Sequence, residues 1–258
     1  MTAILSLLTQ MAAQTETMIW PTFLVFMRVG AVMALLPAFG EQSVPQRVRL
    51  GLSLCFTAIV APAVWPDMEA ARTGFYLPIL TEVVAGLALG IGLRLFVMAL
   101  QMAGTIAAQA SSLSQLFAGM GQPQPAMSNL FVSAGLALAV LSGLHVRAAE
   151  LLILSYQMMP PGQSIPGVDL AGWGLGRISQ AFALAFSLAA PFVIASTVYN
   201  VALGVINRAM PQLMVMFVGA PALTMGGLVL LAVAAPLLLA IWSQAFEAFL
   251  QSPLSVAP

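Results

Sequence analysis

Long uncharged apolar runs, separated by short stretches rich in proline and glycine, dominate the pattern of this chain. Residues 95–146, 178–207 and 209–246 contain no Asp, Glu, Lys or Arg. About 20 apolar residues are enough for a helix to cross the hydrocarbon core of a bilayer. Because the runs are long and no strict alternation appears, we do not expect β-strands. The pattern predicts six hydrophobic helical segments: 18–36, 50–65, 77–100, 130–144, 178–206 and 213–242.

The two ends of the chain are interpreted separately from these segments. Residues 1–17 lack a basic stretch and a small-residue cleavage motif, so we expect an amphipathic amino-terminal helix rather than a cleaved signal. Residues 243–258 are expected to form a carboxy-terminal tail. No soluble domain is predicted, and residues 1–258 are interpreted as a single membrane domain.

Composition supports a polytopic all-α membrane protein. Only 6% of the 258 residues are charged and 61% are hydrophobic, whereas soluble domains carry about 25% charged residues. The chain has eight Arg, no Lys, eight Asp plus Glu and a net charge of zero, which argues against a nucleic-acid partner. With one His and one Cys, and with no nucleophile motif, we expect no metal site, no cofactor and no enzyme activity.

Three charged side chains fall inside the apolar segments, where they are costly and are functional candidates. They are Arg28, Glu82 and Arg94. Glu82 and Arg94 lie on helix faces about 120° apart, so they cannot pair with each other. An ion pair, a water-filled path or a partner protein would explain Arg28, and snorkelling is the simpler alternative. Gly86 and Gly90, four residues apart, allow another helix to approach this segment closely.

Residues 101–129 are polar yet uncharged, with five Gln among apolar side chains. A lipid-facing helix would not carry so many amides, so this stretch suits a water-filled or protein-lined interior. An uncharged surface loop is the alternative interpretation. Gly119 and Gly121 flank Met120 and make the tip of this stretch deformable.

An ordered series of short motifs resembles the FliR family of the flagellar type III export apparatus, whose injectisome counterparts are called SctT. The likeness runs from about residue 18 to residue 242, and each motif alone is weak. The motifs, in chain order, are Arg28-Val29-Gly30-Ala31, Pro37-Ala38-Phe39-Gly40, Val44-Pro45, Arg47-Val48-Arg49-Leu50, Glu82 with Gly86 and Gly90, Arg94-Leu95-Phe96, Gln101-Met102-Ala103-Gly104, Gly143-Leu144-His145, Gly204-x-x-Asn207-Arg208-x-x-Pro211-Gln212 and Gly219-x-Pro221. Met214 and Met216 depart from the family pattern, which has Asn and an aromatic residue there.

The resemblance implies a subunit of the export gate in the bacterial inner membrane, at the flagellar basal body. It implies assembly with FliP-like and FliQ-like subunits, association with an FlhB-like subunit, contact with membrane lipid, and passage of unfolded export substrates. It also implies helical hairpins that pack against partner subunits, which Arg28, Glu82 and Arg94 would then face. A flagellar rather than a virulence system is preferred on overall likeness.

The resemblance further assigns two local roles. The channel plug is expected at Leu113, Gln115, Phe117, Gly119, Met120 and Gly121. A helix break or subunit-packing motif is expected at Asn207, Arg208, Pro211 and Gln212, because proline cannot continue the helical hydrogen-bond ladder. The alternative function is a secondary transporter for a small solute, with Arg28 and Glu82 as substrate or proton-coupling groups.

Overall fold

The computed structural model contains seven helices and no strand in the part of the chain that it describes. That part comprises residues 2–41, 43–66, 68, 76–111, 126–210 and 215–255, with the backbone alone for 2–17, 126, 215–218 and 220–221. The helices are α1 (Thr2–Leu35), α2 (Gln46–Val64), α3 (Tyr76–Ser111), α4 (Ala126–Leu141), α5 (Leu144–Met158), α6 (Gly167–Ala209) and α7 (Val215–Gln251). Five of them are long and apolar enough to cross a membrane, and α4 with α5 is a candidate sixth, broken span. The predicted polytopic all-α class is confirmed.

Prolines mark the ends of several helices, because a proline has no N–H to donate and restricts the residue before it. Helix α2 begins after Pro45, whose backbone is extended with φ −57° and ψ 142°. Helix α5 ends before Pro160 and Pro161, and α6 begins after Pro166. These boundaries follow the loop chemistry of the sequence.

Several predicted boundaries differ from those of the helices: α3 continues to Ser111 rather than ending at residue 100, and α6 begins at Gly167 rather than at residue 178. The fourth segment was expected to end at residue 144, but α4 stops at Leu141 and a separate helix, α5, runs to Met158. Gly143 makes the break by adopting a left-handed conformation with φ 85°, which is strained for other residues. The carboxy-terminal tail was expected from residue 243, but α7 continues to Gln251. Polar residues there lower the hydropathy without interrupting the backbone hydrogen bonds.

The chain divides into two compact units, each made from separate stretches of sequence. Unit 1 contains residues 1–94, 143–176 and 248–258, and unit 2 contains residues 95–142 and 177–247. In unit 1, α1 packs against α2, and α2 packs against α5. The first part of α3 also lies close to α1 there, with Gly86 beside the backbone of Arg28.

Aromatic side chains form the centre of unit 2. Trp242 is fully buried and stacks on Phe246 with ring centroids 5.1 Å apart. Its indole Nε1 donates a hydrogen bond of 3.0 Å to the carbonyl oxygen of Phe96 on α3. Phe246 also meets the ring of Phe96 edge to face. These contacts tie α7 to α3 within this unit.

Replacing Trp242 by Phe should lower the free energy of unfolding by about 1 kcal/mol, because it removes this buried hydrogen bond while keeping an aromatic ring. The matched control is Trp65→Phe, since the buried Trp65 Nε1 meets no acceptor among the described residues. Thermal unfolding of the detergent-solubilised chain measures both variants. Equal midpoints for the two variants would contradict the assigned role of the Trp242 hydrogen bond.

Candidate functional site

A buried ion pair joins α1 to α3 inside unit 1. Arg28 Nε donates to Glu82 Oε2 at 2.8 Å, and Arg28 Nη2 donates to Glu82 Oε1 at 3.0 Å. The pair is therefore bidentate, the geometry in which a guanidinium binds a carboxylate most strongly. Relative exposure is 1% for the Arg28 side chain and 0% for that of Glu82. Neither charge reaches lipid or solvent.

Two further N–H groups of Arg28 donate to α5 and to the turn after it. Arg28 Nη1 donates to Ser155 Oγ at 3.0 Å, and Nη2 also donates to the carbonyl oxygen of Met159 at 2.9 Å. The guanidinium carbon lies 3.8 Å from the ring centroid of Tyr156, a cation–π contact. A buried charge is tolerated only when it is paired and hydrogen-bonded, and this arrangement meets both conditions.

The expectation that Arg28 and Glu82 face partner subunits is wrong for this pair. The two side chains bind each other within one chain, and their neighbours bury them completely. The physical reason is the short distance between two helices. At Gly86, α1 and α3 approach so closely that the guanidinium and the carboxylate meet directly. Of the alternatives weighed for Arg28, an intramembrane ion pair is the one present.

Arg94 has a different environment from Arg28. It pairs with Glu41, in the loop between α1 and α2, and both side chains remain partly exposed. The carbonyl oxygen of Glu41 accepts a hydrogen bond from Arg49 Nη2 at 2.9 Å. Glu41 therefore joins this loop to α2 and to α3, and the predicted contact of Arg94 with a partner subunit stays a prediction.

The plug and break residues are only partly within the described chain. Leu113, Gln115, Phe117, Gly119, Met120 and Gly121 lie outside the described residues, as do Pro211 and Gln212. Asn207 and Arg208 are exposed in the last turn of α6. Helix α6 ends at Ala209 and α7 begins at Val215. Because Pro211 and Gln212 lie outside the described residues, the helix break and the subunit packing expected at this motif both stay predictions.

Sequence reasoning missed four members of these polar clusters: Glu41, Ser155, Tyr156 and the carbonyl of Met159. The charges within the apolar segments pointed to one of these residues. They comprise one carboxylate and two guanidinium groups, so a second carboxylate is expected nearby. Glu41, in the loop between α1 and α2, is that anion. Among the described residues, no three His, Cys, Asp or Glu side chains lie together as a metal site would require.

Comparison with known proteins shows which family this chain resembles. Residues 19–249 match the sequence model of a family described as bacterial export proteins, family 1. The chain is 32% identical over 247 residues to the flagellar biosynthetic protein FliR of Caulobacter vibrioides, covering 93% of this chain and 98% of that protein. It is 29% identical to FliR of Escherichia coli, covering 85% of this chain and 84% of that protein. Identity to FliR of Bacillus subtilis is 31%, covering 79% and 82% respectively.

These matches span nearly the whole chain and include the segments that form the buried ion pair. The relatives are named for flagellar biosynthesis, and the family is named for export. Several apolar helices of membrane-spanning length agree with both names. The chain therefore belongs to the FliR family of bacterial export proteins and is a membrane component of the flagellar export apparatus.

Proposed function

We propose that this chain is a structural and gating subunit of the flagellar export gate. In this proposal it assembles with FliP-like and FliQ-like subunits, and with an FlhB-like subunit beside them, in the bacterial inner membrane at the basal body. The assembly forms the channel through which unfolded flagellar export substrates pass. The family membership supports the export role, and the surface of α6 supports the assembly.

The exposed apolar surface of α6 is the observation that carries the proposal. Large hydrophobic side chains are exposed along this helix from Ile178 to Ile206. At 1.5 Å per residue this stretch is about 42 Å long. At the usual tilt of about 20° it still spans about 39 Å, whereas the hydrocarbon core is about 30 Å thick. Lipid tails cannot cover the whole stretch, so partner protein surfaces are needed.

Helix α7 has a similar need for partners. Only 11% of the apolar 18-residue window that qualifies Ala222–Gln251 as a span is buried inside the chain. Two hydroxyl side chains exposed on α6 are compatible with an apolar environment, because each donates its hydrogen bond to a carbonyl of the same helix. Ser187 Oγ donates to the carbonyl of Ala183, and Thr197 Oγ1 donates to that of Val193. Both helices therefore suit close packing against other subunits.

The buried ion pair argues against the transporter alternative. A solute or a coupling proton would need access to Arg28 or Glu82, yet both side chains are fully buried. Four of the five N–H donors of Arg28 have assignable acceptors within unit 1 through Nε, Nη1 and Nη2. The groups that a transporter would use are therefore occupied in structural contacts.

Affinity purification of the tagged full-length chain from flagellated cells tests the assembly. We expect stable recovery of FliP-like and FliQ-like subunits at fixed ratios. A chain that is monomeric, well behaved and able to bind a small solute on its own would refute the proposal. The same purification from a strain lacking the FliP-like subunit is the control.

A deletion within the predicted plug tests the gating role. Removing residues 113–120, which include Leu113 and Phe117, should raise ion leakage across the inner membrane, because the apolar side chains proposed to close the channel are lost. Ion flux in cells that carry the assembled complex measures the effect. The complex with the natural sequence is the control, and unchanged conductance in a deleted complex that still assembles would exclude the plug.

A further inference from the structure

A groove of about 350 Å³ lies in unit 1, over the turn that joins α5 to α6. Its floor is apolar and includes Leu89 from α3, Met159 and Trp173. Its rim is polar and includes Gln163 and Asp169. Nothing in the proposed gate function uses this groove.

Both walls of the groove are fixed by specific contacts. The buried Arg28 holds the carbonyl of Met159 at 2.9 Å, and the backbone of Gly162 faces the carboxylate of Glu82. On the opposite side, Trp173 Nε1 donates to the carbonyl of Pro253 at 2.9 Å, which positions the neighbouring Leu254. A groove held in one shape costs a ligand less ordering than a flexible surface would.

The charge of the groove selects among possible ligands. Asp169 is exposed, makes no ion pair among the described residues, and is the sole charged side chain that lines the groove. A phospholipid would bring a phosphate, and the lining offers no Arg, Lys or His to neutralise it. A polypeptide that presents an apolar side chain next to a Lys or Arg satisfies both the floor and the rim.

We propose that this groove is a docking site for a partner polypeptide with an apolar side chain beside a basic residue. The apolar side chain enters between Leu89 and Trp173, and the basic group binds the carboxylate of Asp169. The proposal goes beyond the gate function and does not depend on it.

Site-specific photo-crosslinking in flagellated cells tests this docking site. The photoreactive residue p-benzoylphenylalanine replaces Gln163 or, in a second strain, Leu254, so that each wall reports separately. Gln157, which lines a different groove on α5, is the control position. We expect protein adducts at the two groove positions, mapped by mass spectrometry to a peptide with a Lys or Arg next to an apolar residue.

Two substitutions at Asp169 sharpen the test. Asp169→Asn should reduce the adduct yield about tenfold by removing the charge, and Asp169→Glu should retain most of it. The proposal is overturned by adducts to lipid alone, by no adduct, by a mapped peptide without a basic residue, or by a yield that Asp169→Asn leaves unchanged. Recovery of the assembled complex in the same cells separates any such failure from failure of the gate function.

Discussion

Arg28→Met alone should destabilise the folded chain by about 3–5 kcal/mol, because it leaves the carboxylate of Glu82 buried without its counter-charge. Such a loss is comparable to the whole stability of many domains, so we expect little folded protein and no motility. Glu82→Leu alone should be equally damaging, since it leaves a buried guanidinium. Fluorescence-detected size exclusion of the solubilised chain measures the folded amount, and swarming measures function.

The double variant Arg28→Met/Glu82→Leu is the informative control. It removes both charges and fills the space with side chains of similar volume, a change that is often neutral or stabilising in proteins with buried ion pairs. We expect most of the folded protein to return. A double variant as poor as either single variant would contradict the ion-pair account, and a folded but non-motile double variant would show that the pair also serves function.

The presence of most helices could be predicted from the sequence, because uncharged apolar runs bounded by proline and glycine leave few alternatives. The division of the fourth segment could not. Hydropathy falls at His145 and Arg147, which suggests the end of a span, whereas the backbone restarts as α5 after one left-handed residue. Local polarity is a poor guide where the helix that follows is held by tertiary contacts such as that between Ser155 and Arg28.

The importance of the intramembrane charges could also be predicted, but their partners could not. The sequence shows that Arg28 and Glu82 need compensation, and it shows that Glu82 and Arg94 cannot pair. Choosing between an intrachain pair and a partner subunit requires the distance between α1 and α3. Gly86 gave one indication of that distance. A glycine in the interior of a helix costs about 1 kcal/mol relative to alanine, and it allows the backbone of another helix to come close.

The close approach at Gly86 is the second feature with a large expected effect. A Cβ atom at this position would lie 2.5 Å from the carbonyl oxygen of Arg28. That neighbour is backbone and cannot rotate away, so α1 and α3 would have to separate. At Gly90 an added Cβ would lie 3.0 Å from Leu35 Cβ and from Leu35 Cδ1, so the contact is tight but needs a shift of only a few tenths of an ångström. At Gly30 an added Cβ would meet nothing within 4 Å.

Alanine at these three glycines should therefore give a graded series. Gly86→Ala should lose about 1–3 kcal/mol through overpacking, with part of the loss arising from strain on the Arg28–Glu82 pair. Gly90→Ala should lose less than Gly86→Ala, because the contact there is less tight. Gly30→Ala should gain up to about 1 kcal/mol from better helix propensity. Thermal midpoints of the solubilised variants rank the series. If Gly86→Ala had the same thermal midpoint as Gly30→Ala, α1 and α3 could not be as close as the ion pair requires.

Adding Gly86→Ala to the Arg28→Met/Glu82→Leu double variant should cost less stability than adding it to the natural sequence, since the charged pair can then no longer be strained.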